Sequence, residues 1–283
     1  MTYIFIIILL VIWILINIPF RVNKNKIENF NIPLSNPQNT TYIIGFWEVK
    51  NNKKNSINHY YNLLPKTLSL IPQTNLIFFY DDESILKLVK NNVLTDNVIY
   101  IKRKITELPT YNLSEKYLQT CQKQDNKKLK KINTHQEKGL IHYHREYQKG
   151  GSQVFRDTFS IWTSKIYLIQ EIIKKNPWNS EYFSWLDSST YRMKKNPKIF
   201  TRNYDSKYIY HLTNPMKYYG DKIKVAGVYL LGHRNMWNLL IPKYIQKLKE
   251  NQNSKYCHDE ETILKLIWQE NSNLFFNINK IKI

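Results

Sequence analysis

The chain is poor in the residues that most often announce a site. Among its 283 residues there are two cysteines, Cys121 and Cys257, far apart and each without a second cysteine nearby. That excludes a disulfide-rich scaffold and a cysteine-based zinc cluster, and leaves at most one bridge. Glycine is scarce, with seven in all. There is no glycine-rich phosphate loop of the Walker type, no nucleophile elbow and no internal repeat. Acid is short relative to base: 22 Asp and Glu stand against 42 Lys and Arg, a net charge of +20. Such a balance attracts phosphates, nucleic acid or an anionic membrane surface. The lysines are spread along the chain, however, and dense only around Lys50 to Lys54 and Lys123 to Lys131. Heavy use of Lys, Asn and Ile throughout also fits a genome poor in G and C. Clustered aromatic and basic strands are missing, so a nucleic-acid partner is disfavoured.

One long apolar run is present. Tyr3 to Phe20 is apolar except for Asn17, and its 18 residues would reach roughly 27 Å as a helix, enough to cross a hydrocarbon core. No basic residue precedes it and no small-x-small cleavage site follows, which favours a membrane anchor over a cleaved signal peptide. Arg21, Lys24 and Lys26 argue for a cytoplasmic body, whereas sequons at Asn39 and Asn112 would matter only in a lumenal one, so the orientation stays open. Residues 21–40, rich in Asn, Lys, Pro and Ser, read as a linker. The folded body is expected over 41–283.

Within that body the pattern predicts strands at Thr41 to Val49, Asn75 to Tyr80 and Val98 to Lys102. Helices at Ser56 to Leu70 and Ser84 to Asn91 alternate with them, which points to a parallel sheet. The acidic cluster Asp81 to Glu83 suits a metal, but a helix N-terminus attracts carboxylates anyway and that reading is favoured. Residues 105–150 are polar and weakly periodic. They carry His135, His142 and His144 without a carboxylate or cysteine at convincing spacing, so a surface insertion or mobile loop is expected rather than a metal site. Ser152 to Lys175 is the clearest helix: Phe155, Phe159, Trp162, Ile166, Ile169 and Ile173 recur at three- and four-residue steps, and Asn176-Pro177 closes it. Further strands are expected at Tyr182 to Leu186, Lys207 to Leu212, Lys224 to Leu231 and Leu274 to Ile278. Helices are expected from Met236 to about Glu250 and from the Asp259-Glu260-Glu261 cluster to Trp268.

The segment Tyr182 to Arg192 organises the rest. A buried strand runs directly into Asp187, Ser188, Ser189 and Thr190, and ligands in open α/β sheets sit beyond the carboxyl ends of such strands. Asp followed by Ser and Thr is also ordinary turn chemistry. The neighbours tip the balance toward a site.

Taken in order, these pieces resemble the HtrL/YibB-like (WlaTC/HtrL) glycosyltransferases, a GT-A-like family. Thr41 to Trp47 is similar to the family's opening strand, and Leu76 to Asp82 to its second strand and acidic turn. The helix holding Lys165, then Asn176-Pro177 and Phe183 to Asp187, resembles its central helix and Trp-x-Asp signature. Val225-Ala226-Gly227 and Gly232 resemble a later strand, and Asp259-Glu260 the acidic pair opening the terminal helix. Ser189 stands where the family usually has Gly, and Val228 where it tends to have a small residue.

The resemblance implies an α/β, GT-A-like fold with a mixed, mostly parallel sheet flanked by helices, behind an N-terminal transmembrane helix. It also implies transfer of a sugar from a nucleotide-sugar donor to a glycan, lipid or protein hydroxyl. A divalent cation, Mn²⁺ or Mg²⁺, would neutralise the leaving diphosphate, held by Asp187 with Ser189 in place of a second carboxylate. Asp259 or Glu260 would be the base or a further ligand. Lys165 and Arg156 would contact phosphate, Gly45 and Phe46 would flank the nucleotide, Gly227 would lie near the ligand and Trp185 would support Asp187. The competing reading is a membrane-tethered binding protein with a degenerate transferase fold, motivated by Ser189. A phosphatase of the Asp-x-Asp type is disfavoured because its motif should follow the first strand and Gly45 to Glu48 lacks it.

Overall fold

The computed structural model describes residues 39–52, 56–122, 138–194, 197–200, 202–213, 217–218, 221–253 and 259–280. The apolar run Tyr3 to Phe20, most of the linker, His135, Cys257 and His258 lie outside them. Among the described residues no helix is long and apolar enough to cross a membrane.

The body is a seven-stranded sheet between two helical layers. Its elements are β1 (Thr40–Phe46), α1 (Ile57–Leu68), β2 (Asn75–Tyr80), α2 (Glu83–Lys90), β3 (Val98–Lys102), α3 (Ser114–Gln122) and α4 (Lys138–Lys175). Then follow β4 (Tyr182–Asp187), β5 (Ile209–Leu212), the hairpin β6 (Lys217–Tyr218) and β7 (Asp221–Lys222), and β8 (Ala226–His233). α5 (Arg234–Glu250), α6 (Glu260–Glu270) and β9 (Phe275–Asn277) complete the chain. The sheet order is β3-β2-β1-β4-β8-β5-β9. Strands β3, β2, β1 and β4 are parallel, β8 runs antiparallel to both β4 and β5, and β9 is parallel to β5. A mixed, mostly parallel α/β sheet flanked by helices is therefore what this sequence makes.

The two-residue period of each strand sorts the core into two layers. Ile43, Ile77, Phe79, Phe183 and Trp185 point to one face, where they meet Tyr117, Phe155, Phe159, Ile166, Trp237 and Ile263 of α3 to α6. Tyr42, Ile44, Phe46, Phe78 and Leu186 point to the other, against Leu64, Leu68, Ile85 and Val89 of α1 and α2. Ser56 caps α1 by accepting from the His59 N–H, and Asp82 caps α2 by accepting from the Ser84 N–H.

The middle of the chain differs from its sequence reading. Residues 105–150 do not form a loose insertion throughout. α3 buries Tyr117 and Leu118, and the Tyr117 ring lies 4.5 Å from that of Phe159 while its hydroxyl donates to the Leu248 carbonyl at 2.8 Å. A nine-residue helix in which polar residues outnumber these anchors has too few turns to show a period. α4 joins the helix expected from Ser152 to a preceding one over residues 138–150, so His142 and His144 fall in a helix and not on a strand. It is interrupted at Gly151, whose φ of 79° lies in the region that glycine alone enters freely.

Candidate functional site

The strand order reverses direction between β1 and β4: chain order proceeds outward from β1 through β2 to β3 on one side and resumes at β4 on the other. At such a point the connections leave in opposite directions and a crevice opens beyond the strands' carboxyl ends. Gly45 and Asp187 are register partners there, each at or beside the end of its strand. A cavity of about 300 Å³ occupies the crevice, at the small end of the range for ligand sites.

Its lining comes from both layers. The end of β1 and the residues beyond it give Phe46, Trp47, Glu48 and Lys50; the end of β4 and the residues beyond it give Asp187, Ser188, Ser189 and Arg192. α1 adds Ile57 and Tyr60, and one face of α4 adds Thr158, Ile161, Trp162 and Lys165. The turn after β4 is fixed by Thr190, whose hydroxyl bridges the carbonyls of Asp187 at 2.7 Å and Val228 at 3.0 Å. The backbone N–H of Tyr191 donates to the Thr67 hydroxyl at 3.1 Å, which ties that turn to α1.

Lys165 is the hub of the site. Its ammonium is 2.8 Å from Asp187 Oδ1, 3.0 Å from Glu260 Oε1 and 3.3 Å from the Gly227 carbonyl. Three donors thus have three acceptors. Burial by itself lowers the Lys165 pKa, but the charges of Asp187 and Glu260 outweigh it and the net shift is upward. The residue is a fixed cation at any physiological pH. Asp187 Oδ1 also accepts from the indole N–H of buried Trp185 at 2.8 Å. Its second oxygen takes no part in these bonds, and the side chain remains 21% accessible.

The residues anticipated from sequence therefore divide. Asp187, Ser189, Lys165, Trp185 and Phe46 come together at the cavity. Gly45 does not expose its backbone to it: a Cβ there would lie 2.2 Å from the Trp47 ring, so the missing side chain makes room for that indole. Gly227 buttresses the site from behind. Its carbonyl accepts from Lys165, its N–H donates to Glu261 Oε1 at 2.9 Å, and a Cβ would meet Glu260 at 2.9 Å. Glu260 reaches the cavity only through Lys165. Asp259 is fully buried and caps α6, accepting from the Thr262 N–H at 2.8 Å. Arg156 lies elsewhere, stacked 4.5 Å over Tyr111 and donating to the Ser114 hydroxyl at 3.1 Å.

Sequence reasoning missed Glu48, Lys50, Thr158, Trp162 as a lining residue, and Arg192. One signal was available: Thr158, Ile161, Trp162 and Lys165 are spaced i, i+3, i+4, i+7, so any role for Lys165 carries its helical face along. With Lys165 committed to protein acceptors, Lys50 and Arg192 are the lining cations that face the opening, and both are exposed.

A resident metal centre is not built here. Among the described residues no three His, Cys, Asp or Glu side chains converge. Ser189 is buried, and Asp187 has one oxygen to give. Such a set suits a hard cation only when phosphate oxygens and water complete its shell.

No protein-family model matches the chain, and no curated protein is similar to it. Among solved structures, one described as PaToxG Glycosyltransferase is similar at a TM-score of 0.36 and 12% identity, over 82% of this chain and 69% of that one. A likeness that loose assigns neither a fold family nor an activity.

Proposed function

We propose that the chain is a glycosyltransferase that takes its sugar from a nucleotide-sugar donor bound in the β1/β4 crevice. The observation that carries this reading is Asp187 at the strand-order reversal, held by Lys165 and Trp185 at the floor of a cavity with two outward cations and aromatic walls. The ordered resemblance of residues 41–278 to HtrL/YibB-like transferases supports it.

In the transfer, the bond between the sugar's anomeric carbon and the diphosphate oxygen breaks and the electron pair leaves with the phosphate. The acceptor hydroxyl oxygen forms the new bond to that carbon and gives up its proton. Developing charge on the diphosphate is what the site must meet, and cations placed in advance do so without reorganising. Lys50 and Arg192 serve that end, Arg192 with a fork suited to phosphate oxygens. Mn²⁺ or Mg²⁺ fits as a companion of the donor, with Asp187 and Ser189 on the protein side, and when bound would neutralise the same charge. Glu48 is the cavity carboxylate not bonded to Lys165, and takes the acceptor's proton. In this reading Asp259 and Glu260 shape the site from within. The apolar segment 3–20 would hold the enzyme at a membrane, near a glycan, lipid or protein acceptor.

The test is release of nucleoside diphosphate from a panel of nucleotide sugars by the full-length protein, with Mn²⁺ and with chelator, beside Asp187→Asn. Turnover of one donor, lost by at least about a hundredfold in the variant, is expected from removal of a charge that acts at the reacting centre. Donor binding without turnover in the parent would favour the tethered binding protein instead.

A further inference from the structure

Beyond Asp187 the chain is almost without acid. From Ser188 to Lys207 six cations stand against one carboxylate, Asp205, which takes the backbone N–H of Lys207 at 2.9 Å. On other elements lysines are paired: Lys102 lies 2.7 Å from Glu83, Lys175 2.8 Å from Glu171 and Lys247 2.7 Å from Glu270. Among the described residues no carboxylate pairs with Arg192, Lys194 or Lys207. All three are exposed, as is Lys198.

The segment that carries them is held against the sheet. Ile199, Phe200 and Tyr204 are buried in the layer of Tyr42 and Ile44, and the Phe200 carbonyl accepts from the Tyr42 hydroxyl at 2.8 Å. Its first residues lie at the crevice, where the Thr190 hydroxyl bonds the Asp187 carbonyl. By Tyr204 it has come back to the other end of β4, since the Tyr204 carbonyl accepts from the Tyr182 hydroxyl at 2.9 Å. The strand between those ends measures roughly 17 Å, at about 3.3 Å per residue. The cations therefore form a track that starts at the cavity rim with Arg192 and runs down one face of the body. A single phosphate cannot span such a track, whereas an extended polyanion can.

The neighbouring side chains narrow the class of polyanion. A bilayer surface would need apolar side chains among the cations, but the exposed Leu94, Ile99 and Leu239 lie on other elements. A single-stranded nucleic acid would need aromatic platforms in series, and the track has one exposed ring, Tyr191, 41% accessible with the Lys66 ammonium 5.6 Å from its centroid. That ring stands beside Arg192 at the rim, where an acceptor hydroxyl has to approach the donor. One amphipathic ring at the entrance and separated cations beyond it suit a sugar chain that carries carboxylate or phosphate groups.

We propose that the face formed by residues 191–207 binds the acceptor, and that the acceptor is an acidic glycan lying along the track with its reacting end at Tyr191 and Arg192. This rests on the transferase reading above and gives its acceptor a chemical class. The electrostatics are those of an exposed surface, so the affinity falls as salt rises.

The experiment uses the full-length protein and two triple variants of equal net charge. Lys194→Glu, Lys198→Glu, Lys207→Glu reverses the track; Lys87→Glu, Lys174→Glu, Lys243→Glu reverses three exposed lysines on α2, α4 and α5. Binding is measured to a galacturonic-acid hexamer, a galactose hexamer, a thymidylate hexamer and the nucleotide sugar selected from the panel. The parent is expected to bind the acid hexamer in preference to both other hexamers. The track variant should bind it at least about tenfold more weakly than the second variant, as expected where the reversed charges face the ligand. The two variants should bind the nucleotide sugar equally. Equal weakening toward the acid hexamer in both variants would overturn the track, because diffuse charge would then account for binding. No binding of that hexamer by the parent, or tighter binding of thymidylate, would overturn it as well, with the donor reading intact. If the parent holds the acid hexamer but no nucleotide sugar, the donor reading fails and takes the acceptor role with it.

Discussion

Asp81 shows how a single carboxyl near the site sets a pH dependence. It follows β2 directly, one of its oxygens is buried without a hydrogen bond, and burial pushes its pKa from an ordinary 3.8 up to about 6, with the Asp82 and Glu48 charges adding to the effect. A carboxyl whose folded pKa is raised binds its proton more tightly in the native state. Its contribution to stability is therefore full below about pH 4 and is lost as pH rises through about 6. Glu171 has the opposite sign. Hydrogen bonds from the Arg103 guanidinium at 2.6 and 3.0 Å hold it at about 2, so its contribution is full above its ordinary 4.5 and is lost as pH falls toward 2. Urea unfolding of Asp81→Asn between pH 4 and 7 is expected to show a smaller decline in stability with pH than the parent. An identical profile would mean that Asp81 does not titrate in that window.

Among the elements, α4, β4, β8 and α6 meet at one ammonium, and their relative placement depends on it. Removing Lys165 deprives Asp187 and the buried Glu260 of the ammonium they share, and breaking a buried ion pair commonly costs about 3–5 kcal/mol. Lys165→Met should therefore lower the urea midpoint strongly, and Glu260→Gln added to it should recover part of the loss. No recovery would indicate that packing, not charge, dominates at the joint. Much of this scaffold was legible beforehand. Asn75 to Tyr80 runs as expected, because an unbroken apolar and aromatic run suits a buried parallel strand, and Val98 to Lys102 runs beside it as a half-exposed edge strand. α3 was not legible, being short and mostly polar. A glycine in a strand signals close approach by something, and only the fold reveals that at Gly45 and Gly227 the approaching groups are Trp47 and Glu260. An acidic pair at a helix start looks the same whether it faces solvent or the core, so from sequence Asp259 and Glu260 stand as base, further metal ligand or cap alike.

For the whole molecule, the crevice is the one place described where the two core layers, the strand-order reversal and the outward cations coincide. The net charge of +20 adds long-range attraction for an anionic donor, while the selectivity must come from the lining. Three of the seven tryptophans, Trp47, Trp162 and Trp185, line that cavity, so its occupancy is optically visible. The most direct measurement is titration of tryptophan emission with nucleotide sugars in the full-length protein and in the double variant Lys50→Glu, Arg192→Glu. A saturable change in the parent, weakened at least about tenfold in the double variant as expected for loss of charge-assisted phosphate contacts, is the result predicted by a donor site between β1 and β4. The same change with the same affinity in both proteins would place binding elsewhere and contradict it.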